Sequence, residues 1–444
     1  MDSLDLWVDR QYAHAASAML MSVSPIDIVK TRPGFGQTLL PKKGAIVASI
    51  VLGAYDPDPD YFFHWYRDSA VVIDALRLLF EQGSIGKVAL AHLADFVHFS
   101  LSLRALDGRA LVASPSWRTN VAEEFEKFLR TDAELASVHG EAVAADTRVN
   151  PDGTLDISSW GRPQNDGPAL RALCLLRWAR CIRFDPDLNA ATSQLLHADL
   201  AFARQRWREP CFDIWEEEKG LHYYTLCVAA AALEQGAVWL AEQGDHQEAL
   251  ASGSEAQDIR RALDGYWLAD RGYYRSRVLV AGASTSKELD IAVILAALHA
   301  SGSGVTHSVH DVRMHATLER LEELFDAQYP INRDRTAARG PAMGRYAGDT
   351  YYSGGAYYFS TLAAAEFCFR AAVGASDPQT FIKRGNAFLE TVRAFTPPSG
   401  DMSEQFDQRT GIQTSAKQLA WSYAAFISCI VARRAAVDDG CRTD

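Results

Sequence analysis

Apolar residues recur at helical spacing along most of the chain. Leu4, Trp7, Val8, Tyr12, Ala15 and Met19 share one face of a first helix. The same periodicity predicts helices over about 3–22, 67–82, 85–105, 165–184, 187–207, 222–242, 245–268, 285–301, 308–328, 354–373, 378–396 and 413–436. Pro and Gly punctuate many of the gaps, as at Pro25, Pro33, Gly34, Pro151, Gly153, Pro330, Pro397 and Pro398. Few stretches alternate with period two, so little sheet is expected. Some helices are apolar nearly all round, such as Ala70 to Phe80 (AVVIDALRLLF) and Val228 to Leu233 (VAAAAL). Such segments belong inside a larger assembly. The stretch 308–328 is amphipathic and belongs outside. Inner and outer helices in these numbers suggest two concentric rings. Long gaps at 24–66, 107–164 and 329–353 suit active-site loops. No strong internal repeat, Ser/Thr-rich linker or separate C-terminal module is visible, so residues 1–444 are expected to form one domain.

Composition narrows the function. Of 444 residues, 48% are hydrophobic and 23% charged, as in an ordinary globular enzyme, and the formal net charge is −12. That charge argues against nucleic acid and against an anionic membrane surface. A neutral ligand such as a sugar is compatible with it, and the 10 Trp and 16 Tyr offer flat faces for sugar C–H groups. The seven cysteines (Cys174, Cys181, Cys211, Cys227, Cys368, Cys429 and Cys441) are odd in number and lack CxxC spacing, so buried thiols are expected rather than a disulfide framework. No HExxH or Cys/His ligand spacing is present, and no metal site is expected. The N-terminus is acidic where a signal peptide is basic, and no run reaches the roughly 18 apolar residues of a membrane span. As written, the chain reads as soluble and cytoplasmic; had a leader been removed, it would be secreted or periplasmic. A monomer is the default.

Five segments concentrate polar and aromatic residues at helix ends. They are Asp60–Ser69 (DYFFHWYRDS), Trp160–Arg171 (WGRPQNDGPALR), Phe212–Gly220 (FDIWEEEKG), Gly344–Tyr352 (GRYAGDTYY) and Met402–Asp407 (MSEQFD), the last followed by LAWSY. Adjacent Arg67 and Asp68 can donate to and accept from vicinal hydroxyls. A Glu beside Trp215, among three consecutive carboxylates, can be pushed toward the neutral form that a general acid requires. Glu404 sits on a loop after Pro, Gly and Asp. Each feature alone has a plain alternative: an N-cap Asp with a salt bridge, a solvated Glu run, an exposed loop acid.

Taken together, PDYFFHWYRDS, WGRPQNDGPALRA, FDIWEE, GRYAGDTYY and SEQFD…LAWSYAAF resemble, in order, the stretches characteristic of the glycoside hydrolase family 15 glucoamylases. The resemblance spans nearly the whole catalytic domain. It implies an all-α fold, an (α/α)6 barrel with long active-site loops. It implies an exo-acting α-glucosidase that inverts, releasing β-D-glucose from non-reducing ends of α-glucans or oligosaccharides without metal or cofactor. By position, it makes Glu216 the general acid and Glu404 the general base. Arg67 and Asp68 then hold the terminal glucose. Glu217, Arg345, Arg162, Asp349 and Tyr351 become further substrate contacts, and Tyr61, Trp65, Trp160, Trp215 and Trp421 the aromatic walls.

The chain also departs from that pattern. Asp156 stands where an aromatic is common, Tyr357 where a Trp is expected, and Phe406 where a Tyr follows the base's Gln. The 107–159 loop reads differently, with 139–152 longer. These positions are expected to border the leaving-group side. That leaves α-1,6 preference, transglucosylation and trehalose hydrolysis open, along with a non-catalytic regulatory module. A starch-binding module and an N-terminal β-sandwich are expected to be missing.

Overall fold

A computed structural model of the chain describes residues 3–53, 57–280, 285–300, 305–333, 335, 336 and 338–440. Twelve long helices build it: α1 (Leu4–Met21), α2 (Tyr66–Glu81), α3 (Val88–Leu103), α4 (Asp166–Cys181), α5 (Pro186–Arg206), α6 (Tyr223–Glu242), α7 (His246–Asp264), α8 (Ala292–His299), α9 (Val312–Gln328), α10 (Tyr358–Ala372), α11 (Pro378–Phe395) and α12 (Ala420–Gly440). Contacts run α2 to α4 to α6 to α8 to α10 to α12 and back to α2, closing an inner ring. The odd-numbered helices lie outside it, and the fold is an (α/α)6 barrel.

Burial separates the two rings. Inner α10 buries nearly every residue, from Tyr358 to Phe369 without interruption. Outer α9 buries Met314, Thr317, Leu318, Leu321 and Phe325, a single stripe at helical spacing. Inner helix α6 is long and apolar enough to cross a membrane by length and composition, although no run of that kind was expected. Its apolar surface is instead spent on the ring, with Tyr223 to Leu233 wholly buried. The six described cysteines are free thiols, five of them buried; Cys441 lies outside the described residues.

Three helices start later than their periodicity predicts, each for a local reason. Asp290 accepts from the Ala292 amide at 2.8 Å and caps α8. Ala356–Tyr357 pair with Gln405–Phe406 before α10 begins. Gln413–Thr414 pair with the same strand, delaying α12 to Ala420. The long gap at 107–164 is not bare loop: it holds short helices at Gly108–Ala113 and Asp132–Ala136. Short strands precede three of the inner helices, as His64–Trp65 precedes α2 and Lys219–His222 precedes α6. These pairings gather the N-terminal ends of the inner helices, with their loops, at one end of the barrel.

Candidate active site

That end holds a cavity of about 250 Å³ lined by Tyr61, Trp65, Arg67, Asp68, Trp160, Trp215, Glu216, Glu217, Arg345, Tyr351, Glu404 and Trp421, among others. Its floor is a stack of rings. Phe359 lies over Trp421 at 4.5 Å and 8°, and Trp215 over Phe359 at 6.0 Å and 20°. Among the described residues no cluster of His, Cys, Asp and Glu could hold a metal ion.

Glu216 lies on the turn between strands Cys211–Phe212 and Lys219–His222. Its φ is +59°, a conformation that costs a non-glycine residue about 1–3 kcal/mol and is kept only where surroundings enforce it. Asp213 supplies much of that enforcement. Its carbonyl accepts from the Glu216 amide at 3.0 Å. Its carboxylate accepts from the amides of Glu217 at 2.7 Å and Glu218 at 3.0 Å. Arg277 then pairs with Asp213, Glu218 and Asp290, and Asp290 accepts from the Trp215 indole at 2.9 Å. Gly161 presses against this turn from the other side: a Cβ there would lie 2.6 Å from the Glu216 carbonyl oxygen, so only glycine permits the approach.

Arg67, buried at the first turn of α2, donates to Gln164 Oε1 and to Glu216 Oε1, each at 2.9 Å. Its Nε and the Oδ2 of Asp68 are buried without a hydrogen-bond partner, that oxygen lying 3.4 Å from the Arg67 guanidinium in an ion pair. One is a donor and one an acceptor, on adjacent residues lining the cavity. Burial pushes Asp68 up to about 6, against the opposing pull of Arg67.

Glu404 enters on the strand beside α10, its amide bonded to Ala416 O at 2.7 Å and its carbonyl to the Tyr358 amide at 3.2 Å. Ser415 donates a short hydrogen bond to its Oε2, and Tyr61 donates to Oε1 at 3.4 Å. Burial pushes Glu404 up to about 7, with the Ser415 bond and the Arg345 charge acting in the opposite direction. Glu217 accepts from Arg345 at 2.9 Å and from Lys287 at 2.6 Å. Tyr351 and Tyr61 share a hydrogen bond at 2.8 Å.

Two carboxylates from loops nearly two hundred residues apart thus face one aromatic pocket with an Arg–Asp pair between them. The family model for glycosyl hydrolases family 15 matches residues 116–380 and 371–431, well over half of the chain. The chain belongs to this family. It is 26% identical to Glucoamylase 1 of Rhizopus oryzae, over 98% of this chain and 72% of that one. It is 27% identical to a probable glucoamylase of Schizosaccharomyces pombe, over 98% and 92%. The fold is similar to that of the family 15 glucoamylase from Hypocrea jecorina, with TM-score 0.79 and 23% identity over 97% of this chain and 72% of that chain. As a family 15 member, the protein is a glycoside hydrolase whose substrate class is the α-glucans.

Of the site residues expected from sequence, Arg162 does not reach this pocket. Its guanidinium is locked by Asp146 and Asp156 and faces a neighbouring chamber. Asp349 does not face the cavity either; it is fully buried and clamps Arg345 through contacts of 2.6 and 2.7 Å. The three departures from the family pattern likewise lie behind the walls. Asp156 is buried against Arg148 and Arg162. Tyr357 and Phe406 are wholly buried. Ser415, Gln164, Asp213, Lys287 and Arg277 were not singled out by sequence. Asp213 and Gln164 fall within the quoted motifs, but Ser415, Lys287 and Arg277 carry no signal beyond their type.

Proposed function

We propose that this family 15 hydrolase is an inverting exo-α-glucosidase that removes β-D-glucose from non-reducing ends, with Glu216 as acid and Glu404 as base. The observation carrying this reading is that Glu216 and Glu404 line one pocket together with the adjacent Arg67 and Asp68. That pair suits the hydroxyls of a terminal glucose, which every α-glucoside shares. A pocket with a ring-stacked floor admits a chain end and not a chain middle, hence exo action. The glycosidic oxygen leaves only when protonated, and water attacks only when a carboxylate takes its proton. Inversion needs the two carboxyls about 6.5–9.5 Å apart, so that water fits beside the anomeric carbon. As acid, Glu216 would donate to the departing oxygen, its Oε1 positioned at the pocket wall by Arg67 at 2.9 Å. Glu404, with Ser415 and Tyr61 donating to it, is oriented as a base whose affinity for a proton lies near neutrality.

The Arg67–Glu216 contact and the raised Glu404 also support the opposite assignment, with Glu404 as acid. One experiment decides between them. Glu216→Gln should lose at least about 10²-fold on maltose and far less on α-glucosyl fluoride, whose leaving group needs little protonation. Glu404→Gln should lose both. The reverse pattern assigns the acid to Glu404, and α-glucose as the first product by NMR refutes inversion.

A further inference from the structure

Glu217 lines the catalytic pocket beside Glu216, and protein donors converge on its carboxylate. Arg345 donates to Oε1 at 2.9 Å and Lys287 to Oε2 at 2.6 Å, and Tyr346 gives Oε2 a second, short hydrogen bond. A carboxylate offers about four acceptor positions, two on each oxygen. Oε2 is thereby filled, while Oε1 keeps one position with no donor among the described residues. The donors do not contribute equal charge. Arg345 is already balanced by Asp349 at 2.6 Å, and Tyr346 is a neutral donor. Lys287 has Glu217 as its ion-pair partner and supplies the charge that balances it.

Lys287 is itself held in place. It lies on the segment 285–290, which ties to the turn bearing the two glutamates at three points. Thr285 donates to the Glu218 carboxylate at 3.1 Å, Lys287 to Glu217, and Asp290 accepts from the Trp215 indole at 2.9 Å. Thr285 also accepts from the Lys287 amide at 3.1 Å, and Ser276 donates to the Lys287 carbonyl at 2.8 Å. The ammonium thus extends from a fixed backbone, and it rests 4.7 Å from the centre of the Tyr346 ring. The last torsion of a glutamate is otherwise soft, so the direction of its lone pairs depends on the donors that pin it. Lys287 does not line the pocket, and its effect reaches a sugar only through Glu217.

We propose that Lys287 is a positioning residue for the reaction: it keeps Glu217 ionised and turned so that the open position on Oε1 meets one hydroxyl of the sugar. The inference rests on the reading of the pocket given above. With Lys287 removed, Oε2 regains an empty acceptor position and Glu217 loses its counter-charge. The carboxylate then has two ways to face the sugar where it had one, and selection for that hydroxyl weakens.

The test measures kcat/KM of the full chain on maltose and on a set of singly deoxygenated maltosides. Glu217→Ala identifies the hydroxyl concerned, as the one whose removal costs the parent activity and costs that variant nothing. Lys287→Met should lose about tenfold on maltose, as the loss of one charge-assisted hydrogen bond would give, and nothing further on that one analogue. Lys287→Arg keeps the charge at a single-contact site and should retain most of the parent's activity. Should Lys287→Met fail to fold, Lys287→Gln replaces it with the same expectation. A loss of the same size on every analogue shows a merely structural part and overturns the proposal. Parent-like turnover of maltose without the ammonium, or an Arg variant no faster than the Met variant, overturns it too. If Glu217→Ala itself loses nothing on maltose, the reading of Glu217 as a sugar contact falls, and the proposal with it.

Discussion

Removing the Ser415 hydroxyl should move the acid side of the pH profile upward. Ser415 donates to Glu404 Oε2, a bond that favours the carboxylate over the acid. Glu404 already stands near 7 because burial resists its ionisation. In Ser415→Ala the burial remains and one of its two hydroxyl donors is lost. A hydrogen bond to a charged group is worth about 1.5–3 kcal/mol net, and 1.36 kcal/mol corresponds to one pH unit. With Tyr61 still donating at 3.4 Å and water able to replace part of the loss, a rise of about one unit is expected. If Glu404 is the base, activity requires it ionised, so kcat/KM rises with pH through about 7 in the parent and about 8 in the variant. At pH 6 the variant should then be about tenfold slower, with the two converging above pH 9. The assay is initial-rate glucose release from maltose between pH 4 and pH 9, with folding checked at each end. A limb that stays put or moves down refutes the argument. Movement of the alkaline limb instead makes Glu404 the group that must be protonated.

Two more outcomes follow from the same groups. Arg67→Ala should weaken action on maltose, isomaltose and trehalose alike, by at least about 10²-fold in kcat/KM, because it addresses the glucose that all three share; a loss confined to one linkage would place it on the leaving-group side. Glu404→Gln should raise thermal stability at pH 8 but not at pH 4. The folded value near 7 exceeds the ordinary 4.5, so the stability tied to protonated Glu404 is complete below about 4.5 and lost as pH rises through 7. The gap corresponds to about 3 kcal/mol, and calorimetric melting at the two pH values checks it. Equal melting temperatures for parent and variant at pH 8 would show that the burial penalty is not felt.

The barrel was legible because its signals are local. An all-round apolar stretch such as VAAAAL in α6 can only be inner, and the stripe in α9 can only be outer. The five polar segments were legible for a related reason: a helix N-terminus carrying Arg67 and Asp68, or a turn carrying three carboxylates, is conspicuous against such a background. Direction was not legible. Arg162 stands two residues from Trp160, and nothing in WGRPQ tells that its guanidinium turns away to Asp146 and Asp156. Asp349 sits within a motif full of sugar-binding residue types, yet its partner is Arg345 rather than the cavity. Ser415 and Lys287 reach Glu404 and Glu217 only after the chain has folded, from loops whose own sequences are unexceptional. Asp156 shows the same limit. Read as a polar substitution on the leaving-group side, it is instead an internal counter-ion shared by two arginines.

Stereochemical outcome depends on the separation of the two carboxyls, so the framework that sets it matters more than either residue alone. A continuous chain of contacts joins the two loops. Glu217, next to Glu216, accepts from Arg345; Arg345 is clamped by Asp349; Tyr357 donates to Asp349 at 3.2 Å and accepts from Gln405 at 2.8 Å; Gln405 is the neighbour of Glu404. The tyrosine at position 357 is what allows this chain to close, because its hydroxyl both donates and accepts. An indole N–H could donate to Asp349 but could not accept from Gln405. One departure from the family pattern therefore ties the Glu404 strand to the Glu216 turn through groups that, Glu217 apart, are buried and hold geometry more firmly than solvated ones. The strained φ of Glu216 belongs to the same logic. A backbone held at a φ of +59° by Asp213, Arg277 and the approach of Gly161 fixes the point from which the Glu216 side chain reaches into the pocket.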